Sequence, residues 1–298
     1  MKDDERGGLL LALAGFGLLP VADTITKSMS GDWSPLNVAA LRFGIGAVVL
    51  GLVLFGKEGA PALRPRQPWL QLGRGMCLAS ASLLFFSAIF VMPLADAISL
   101  AFVSPIFTAL LAGFILGEKV RRSIWIASVI ALVGVGIVLQ PNVLALGWVA
   151  VLPLGSAFFF ALMTVLNRAS VGGGSALAMQ AYIAACAMPF LLAAIVAGSA
   201  FDLPGHALTM PDWTVVLRCA AVALIASSAH WLSYLGTMRA GASTVGPVVY
   251  VQVIVAGISG WLVFGDVPTL ATLCGTLIIV IAGFVLWHYT PPRQSSGN

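Results

Sequence analysis

Ser227 and His230 stand three residues apart, a spacing that places both side chains on one face of a helix. A hydroxyl beside an imidazole is the minimum of a nucleophilic site. The same spacing is common in helices that do no chemistry, and nothing in the chain completes it. There is no G-x-S-x-G elbow, no H-E-x-x-H, no paired intramembrane aspartate motif and no G-x-x-x-x-G-K-[ST] phosphate loop. Hydrolysis and ATP-driven work are therefore unsupported. The four cysteines, Cys77, Cys186, Cys219 and Cys274, each fall inside an apolar run without a Cys or His at ligand spacing, which marks them as small buried hydrophobes. The residues point to no catalytic group, no metal and no cofactor.

A second set of residues suits binding better. Ser80, Ser82, Ser104, Ser156, Ser227, Ser228 and Gln252 sit at similar depths of apolar runs. A serine there either bonds a carbonyl of the preceding turn and glues helices, or anchors a ligand in a wet cavity. Tyr250 and Gln252 are costlier in an apolar medium and point to water or a ligand. Pro105 and Pro247 each remove a helical hydrogen bond. The freed carbonyl suits a substrate ammonium and the bend suits a hinge, with a static, filled kink as the equal alternative. Asp23 and Arg42 lie at matching depth in neighbouring runs. They either form an ion pair, or Arg42 receives a carboxylate while Asp23 takes a proton. His230 is either a packed, hydrogen-bonded histidine or one that titrates near neutrality. Arg218, near the end of its run, reads as a snorkelling side chain. Glu118, beside Lys119, Arg121 and Arg122, reads as part of a solvated charge cluster.

What must hold these residues is set by composition. Of 298 residues 60% are hydrophobic and 9% charged, with a mean hydropathy of +1.02. A domain dissolved in water carries about 25% charged residues, so the surplus apolar surface must face lipid. This excludes a cytosolic enzyme, a secreted disulfide scaffold and a nucleic-acid binder, the net charge of +4 being spread between apolar runs rather than gathered on a face. About 20 helical residues cross a bilayer, and runs of that size fall at 7–28, 35–56, 71–92, 95–116, 123–140, 148–168, 176–198, 213–234, 242–264 and 268–288. No strict alternation marks barrel strands, so helices are the expected way to satisfy backbone amides in lipid. The first run has an acidic head and continues past Ala12-Leu13-Ala14, which makes it a span rather than a signal peptide.

The expected architecture is all-α, with ten transmembrane helices and no room for a soluble domain. If the spans alternate, the basic residues gather on one side, Arg74 among them, with Lys27 on the other and Arg42 and Arg218 within spans. That bias predicts cytoplasmic termini. Trp33, Trp148, Trp213 and Trp261 then form an outer belt, and Trp69, Trp125 and Trp287 an inner one.

The two halves also match each other. Met92-Pro93-Leu94-Ala95-Asp96-Ala97 aligns with Met238-Arg239-Ala240-Gly241-Ala242-Ser243, Leu116-Gly117-Glu118 with Phe264-Gly265-Asp266, and Gly134 with Gly283. Five spans per copy is odd, so the second copy enters from the opposite side. Two inverted five-helix repeats, 1–145 and 146–298, are the expected organisation, a construction used by secondary transporters.

Pro35 followed by Arg42, Ser104-Pro105 followed by Leu116-Gly117-Glu118-Lys119, and then Gly134 resemble the drug/metabolite transporter superfamily, in its ten-helix EamA-type branch. Within that branch the chain resembles the bacterial amino-acid exporters of the YddG type. The second half departs from the pattern, with Val253 opposite Pro105 and a proline at Pro247 instead. The resemblance implies a basket of helices whose first, third, fourth, sixth, eighth and ninth spans line a central cavity, the others lying outside. It also implies a structural role for Arg42. The function expected is secondary transport of small polar metabolites, with amino acids exported across a bacterial inner membrane by alternating access. Ser80, Ser82, Ser104, Pro105, Ser156, Ser227, Ser228, His230, Tyr250 and Gln252 are the cavity candidates. Asp23, Arg42 and Pro247 are the gating or coupling candidates. The alternative is a membrane-embedded enzyme on a lipid-linked substrate. Partners are the small-molecule substrate and the bilayer, with no nucleic acid; the residues set no oligomeric state.

Overall fold

In the computed structural model, residues 2–117, 122–139, 147–170, 172–201, 210–240, 248–249 and 251–288 are described. Among them there are eleven α-helices: α1 (Lys2–Lys27), α2 (Pro35–Glu58), α3 (Pro68–Val91), α4 (Leu94–Ala101), α5 (Ser104–Leu116), α6 (Arg122–Leu139), α7 (Val151–Ala169), α8 (Ala176–Ala200), α9 (Trp213–Ala240), α10 (Val251–Phe264) and α11 (Leu270–His288). They make the ten expected passages, because α4 and α5 are two pieces of the fourth. By length and composition six candidate spans can cross a membrane, Leu94–Ile115 counted as one, with shorter apolar helices at Val151–Asn167, Val251–Phe264 and Leu270–Ala282.

Local chemistry sets the helix ends. Ser34 accepts from the Asn37 backbone N–H and Pro35 supplies the first turn of α2, while Ser175 accepts from Ala178 at the start of α8. The fourth passage breaks where Pro105 cannot donate to Ala101. The chain turns through Phe102 and Val103, with Val103 bonded back to Leu100, before α5 begins. Gly117, after α5, and Gly265, after α10, both take positive φ, +67° and +71°. Glycine meets that requirement without strain, and these are the aligned glycines of the two half-chain motifs.

Each half packs on the other through helix pairs, antiparallel except for α3 with α8, which run in the same direction. Helices α1 and α9 touch where Gly15 meets Ser233 and Ala229, and again where Gly236 meets Gly8 and Ala12. Gly134 of α6 rests on Gly275 and Ile279 of α11, and Gly75 of α3 rests on Cys186 of α8. Ser156 of α7 donates to the Ala81 carbonyl of α3 at 2.8 Å, and Leu54 of α2 packs with Ala178 and Tyr182 of α8. In lipid there is no hydrophobic drive between helices, so glycines that let backbones approach do the work instead. The main core joins Phe43, Phe86, Ile89, Leu94, Leu100 and Leu191. Outward faces stay apolar, as with Val48, Leu52 and Phe55 on α2 and Leu273, Leu277 and Ile281 on α11, which is the surface of a chain covered by lipid.

Candidate functional site

The polar residues are positioned by three helix stripes. Arg42, Gly46 and Leu50 recur every fourth residue on α2, and Leu177, Gln180 and Ala184 recur at three and four on α8. Ala223, Ser227, His230 and Trp231 occupy one side of α9. With Leu78 of α3 these stripes enclose a cavity. Its polar wall is Arg42, Gln180, Ser227 and His230, and its apolar wall includes Leu50, Leu78, Ile183 and Trp231.

Arg42 is held by rings rather than by a carboxylate. Its guanidinium carbon lies 4.8 Å from the Phe43 ring centroid and 5.0 Å from that of Phe86 on α3, distances at which the ring quadrupole attracts a cation. Asp23 of α1 and His230 of α9 both lie within electrostatic range of it. Yet among the described residues the salt bridges are Lys27 with Asp266 and Arg218 with Asp32, and none closes on Arg42. The arginine therefore presents a positive charge to a largely apolar space, an arrangement that can receive one anionic group of a ligand.

The other sequence candidates scatter. Ser227 and His230 share the cavity as their spacing implied, while Ser228, the next residue, is exposed and does not line it. Ser156 is spent on the α3–α7 tie. Ser82 is buried in α3, and Ser80 on α3 and Gln252 on α10 are half-buried. Ser104 and Pro105 stand at the break in the fourth passage, where the Ser104 carbonyl accepts from the Thr108 hydroxyl at 2.8 Å. Tyr250 and Pro247 lie outside the described residues, as does Glu118.

Two expectations change. The second and seventh passages, α2 and α8, were expected outside the cavity but form much of this one, because their inward stripes carry Arg42 and Gln180. Arg218 does not merely snorkel: its guanidinium donates to the Ser28 carbonyl and to Asp32, each at 2.9 Å. Sequence reasoning also missed Gln180, Trp231 and the two ring partners of Arg42. Phe43 and Trp231 are each adjacent to a residue already singled out, but Phe86 is brought in only by folding.

The model of the EamA-like transporter family matches twice, at residues 6–140 and 147–287. A riboflavin transporter of Vibrio cholerae is 27% identical over 97% of this chain and 96% of its own length. An S-adenosylmethionine uptake transporter of Rickettsia prowazekii is 23% identical over 93% and 90%, and a pseudopaline exporter of Pseudomonas aeruginosa is 27% identical over 94% and 96%. None of these three is named for amino acids. A solved crystal structure superposes with a TM-score of 0.60 at 18% identity, covering 96% of both chains, a likeness of fold alone. The chain belongs to the EamA-like transporter family, and it is a transporter rather than the membrane-embedded enzyme that Ser227 and His230 left open.

Proposed function

We propose that this multi-pass membrane protein is a secondary transporter that exports small polar metabolites, amino acids first among them, across a bacterial inner membrane by alternating access. The observation that carries the reading is the Arg42 guanidinium facing the cavity with no ion pair among the described residues. An amino acid brings the carboxylate that such a cation receives. Gln180 and Ser227 offer neutral partners for its ammonium end, and Leu50, Leu78, Ile183 and Trp231 take its side chain. Few polar anchors on an apolar wall impose little penalty on a changed side chain, which suits a broad range of substrates. Relatives are named for riboflavin, S-adenosylmethionine and pseudopaline, so small-metabolite transport is the common ground and amino acids are the finer proposal.

The halves 1–145 and 146–298 are proposed as inverted repeats. The double family match and the positive-φ glycines at equivalent helix ends support it. The gathering of basic residues on one side supports cytoplasmic termini. Asp23 and Arg42, within electrostatic range but not bridged, are the proposed coupling pair. The test is uptake of labelled amino acids into proteoliposomes by the wild type and by Arg42→Ala. Uptake that falls to the level of empty vesicles in folded Arg42→Ala supports the site; unchanged uptake removes Arg42 from it.

A further inference from the structure

Two arginines that the cavity does not use hold the two ends of the bundle. Arg74 stands in the second turn of α3 and is 4% exposed. Its Nε donates to the Asn167 side chain at the end of α7 at 2.5 Å, and its Nη1 donates to Gln71 and lies 3.8 Å from the Met179 sulfur on α8. Arg218 stands in the second turn of α9. Its Nη1 donates to the Ser28 carbonyl and to Asp32, just past the end of α1.

The two sets correspond. Each arginine belongs to the third passage of its half and grips the end of the first passage of the other half. Those two ends close alike: the Ser28 hydroxyl donates to the carbonyl of Ile25 and the Ser170 hydroxyl to that of Asn167, each three residues back. They also lie at opposite ends of the molecule. Ser30, just past α1, bonds the Phe90 carbonyl at the finish of α3, so Arg74 at the start of α3 is a whole helix away. The cavity lies between them, with Leu78 one turn from Arg74 and Ala223 little more than a turn from Arg218.

We infer that Arg74 and Arg218 are reciprocal latches of the transport cycle, each released when its own end of the bundle opens and closed when the other end opens. This rests on the alternating-access reading above. The latches differ in chemistry. Arg74 is buried on the neutral acceptors Gln71 and Asn167, whereas the Arg218 side chain is 34% exposed and its partner Asp32 47%. Salt therefore loosens the Arg218 latch and leaves the Arg74 latch alone.

Two native cysteines report the two ends. Cys219 follows Arg218 in sequence and packs on Met29, and Cys77 lies one turn beyond Arg74; both are buried. In variants keeping only one of them, the rate of alkylation by a membrane-impermeant maleimide supplied on both sides measures opening at that end. Arg218→Ala should raise labelling of Cys219 by about two- to fivefold, the population shift that loss of an exposed ion pair allows, and should lower labelling of Cys77. Arg74→Ala should do the reverse. Should Arg74→Ala fail to fold, Asn167→Asp, which sets a carboxylate against Arg74, should lower Cys77 labelling and raise that of Cys219. Arg218→Lys should restore the wild-type rates. Labelling that changes only beside the substituted residue, or rises at both ends together, overturns the latches and leaves two static helix ties. No substrate is needed, so a chain that carries no amino acid would still show the reciprocity, and failure of the two readings can be told apart.

Discussion

The Arg42 guanidinium on α2 sits 5.0 Å from the centre of the Phe86 ring on α3, so the charge that faces the cavity is fixed by an aromatic side chain from the neighbouring passage. Cation–π attraction is worth about 2 kcal/mol when both partners are shielded from water. It holds the guanidinium in place without neutralising it.

Arg42→Lys keeps the charge and loses the guanidinium group that lies over Phe43 and Phe86. The expected outcome is a folded transporter whose amino-acid transport rate falls about tenfold, the equivalent of roughly 1.4 kcal/mol. Phe86→Leu should move the rate in the same direction by less, because Phe43 still carries the cation. Initial rates in proteoliposomes check both.

Close helix approach makes two glycines intolerant. A Cβ on Gly134 would stand 2.8 Å from the Gly275 carbonyl oxygen, and one on Gly15 would stand 2.6 Å from the Ser233 amide nitrogen. Backbone cannot step aside as a flexible side chain can, so Gly134→Ala and Gly15→Ala should each cost about 1–3 kcal/mol. Gly136 and Gly17 have nothing within 4 Å of that position, and alanine there should be neutral. Thermal unfolding of the detergent-solubilised variants separates the two pairs.

Asp96 is buried in α4 and accepts from the Thr272 hydroxyl of α11 at 2.8 Å. One turn on, Ser99 and Thr276 bond at 2.7 Å. Thr272→Val preserves shape and removes the donor, leaving a buried carboxyl one partner short. A loss of about 1–3 kcal/mol is expected, with Thr272→Ser close to wild type. A Tm for Thr272→Val equal to that of the wild type would show that the carboxyl finds water instead.

Much of the architecture was legible in the residues because lipid imposes a length and a composition on every passage. The ten runs, the break before Pro105 and the alignment of Gly117 with Gly265 all follow from local rules. The cavity was only partly legible. Ser227 with His230 could be placed on one face from spacing alone, and Arg42 stood out by its cost. What the chain does not display locally is the partner from across the bundle. Phe86 beneath Arg42, Asn167 against Arg74 and Asp32 against Arg218 are separated by tens of residues or more, and no periodicity joins them. Arg74 illustrates the point. It reads as one more basic residue of the inner face, yet it is buried because α3 starts at Pro68 and carries it a turn and a half inside the bundle. The assignment of α2 and α8 to the outside failed for a related reason: hydropathy does not tell a lipid-facing stripe from one that meets an apolar cavity wall.

The central claim is that one site is exposed alternately to the two sides of the membrane. Counterflow tests it most directly: proteoliposomes preloaded with an unlabelled amino acid are presented with a trace of the labelled one. Alternating access predicts label accumulating transiently above its equilibrium level, faster than in unloaded vesicles, and no such overshoot with Arg42→Ala. Entry of label at the same rate with or without preloading, by folded wild-type protein, would contradict it.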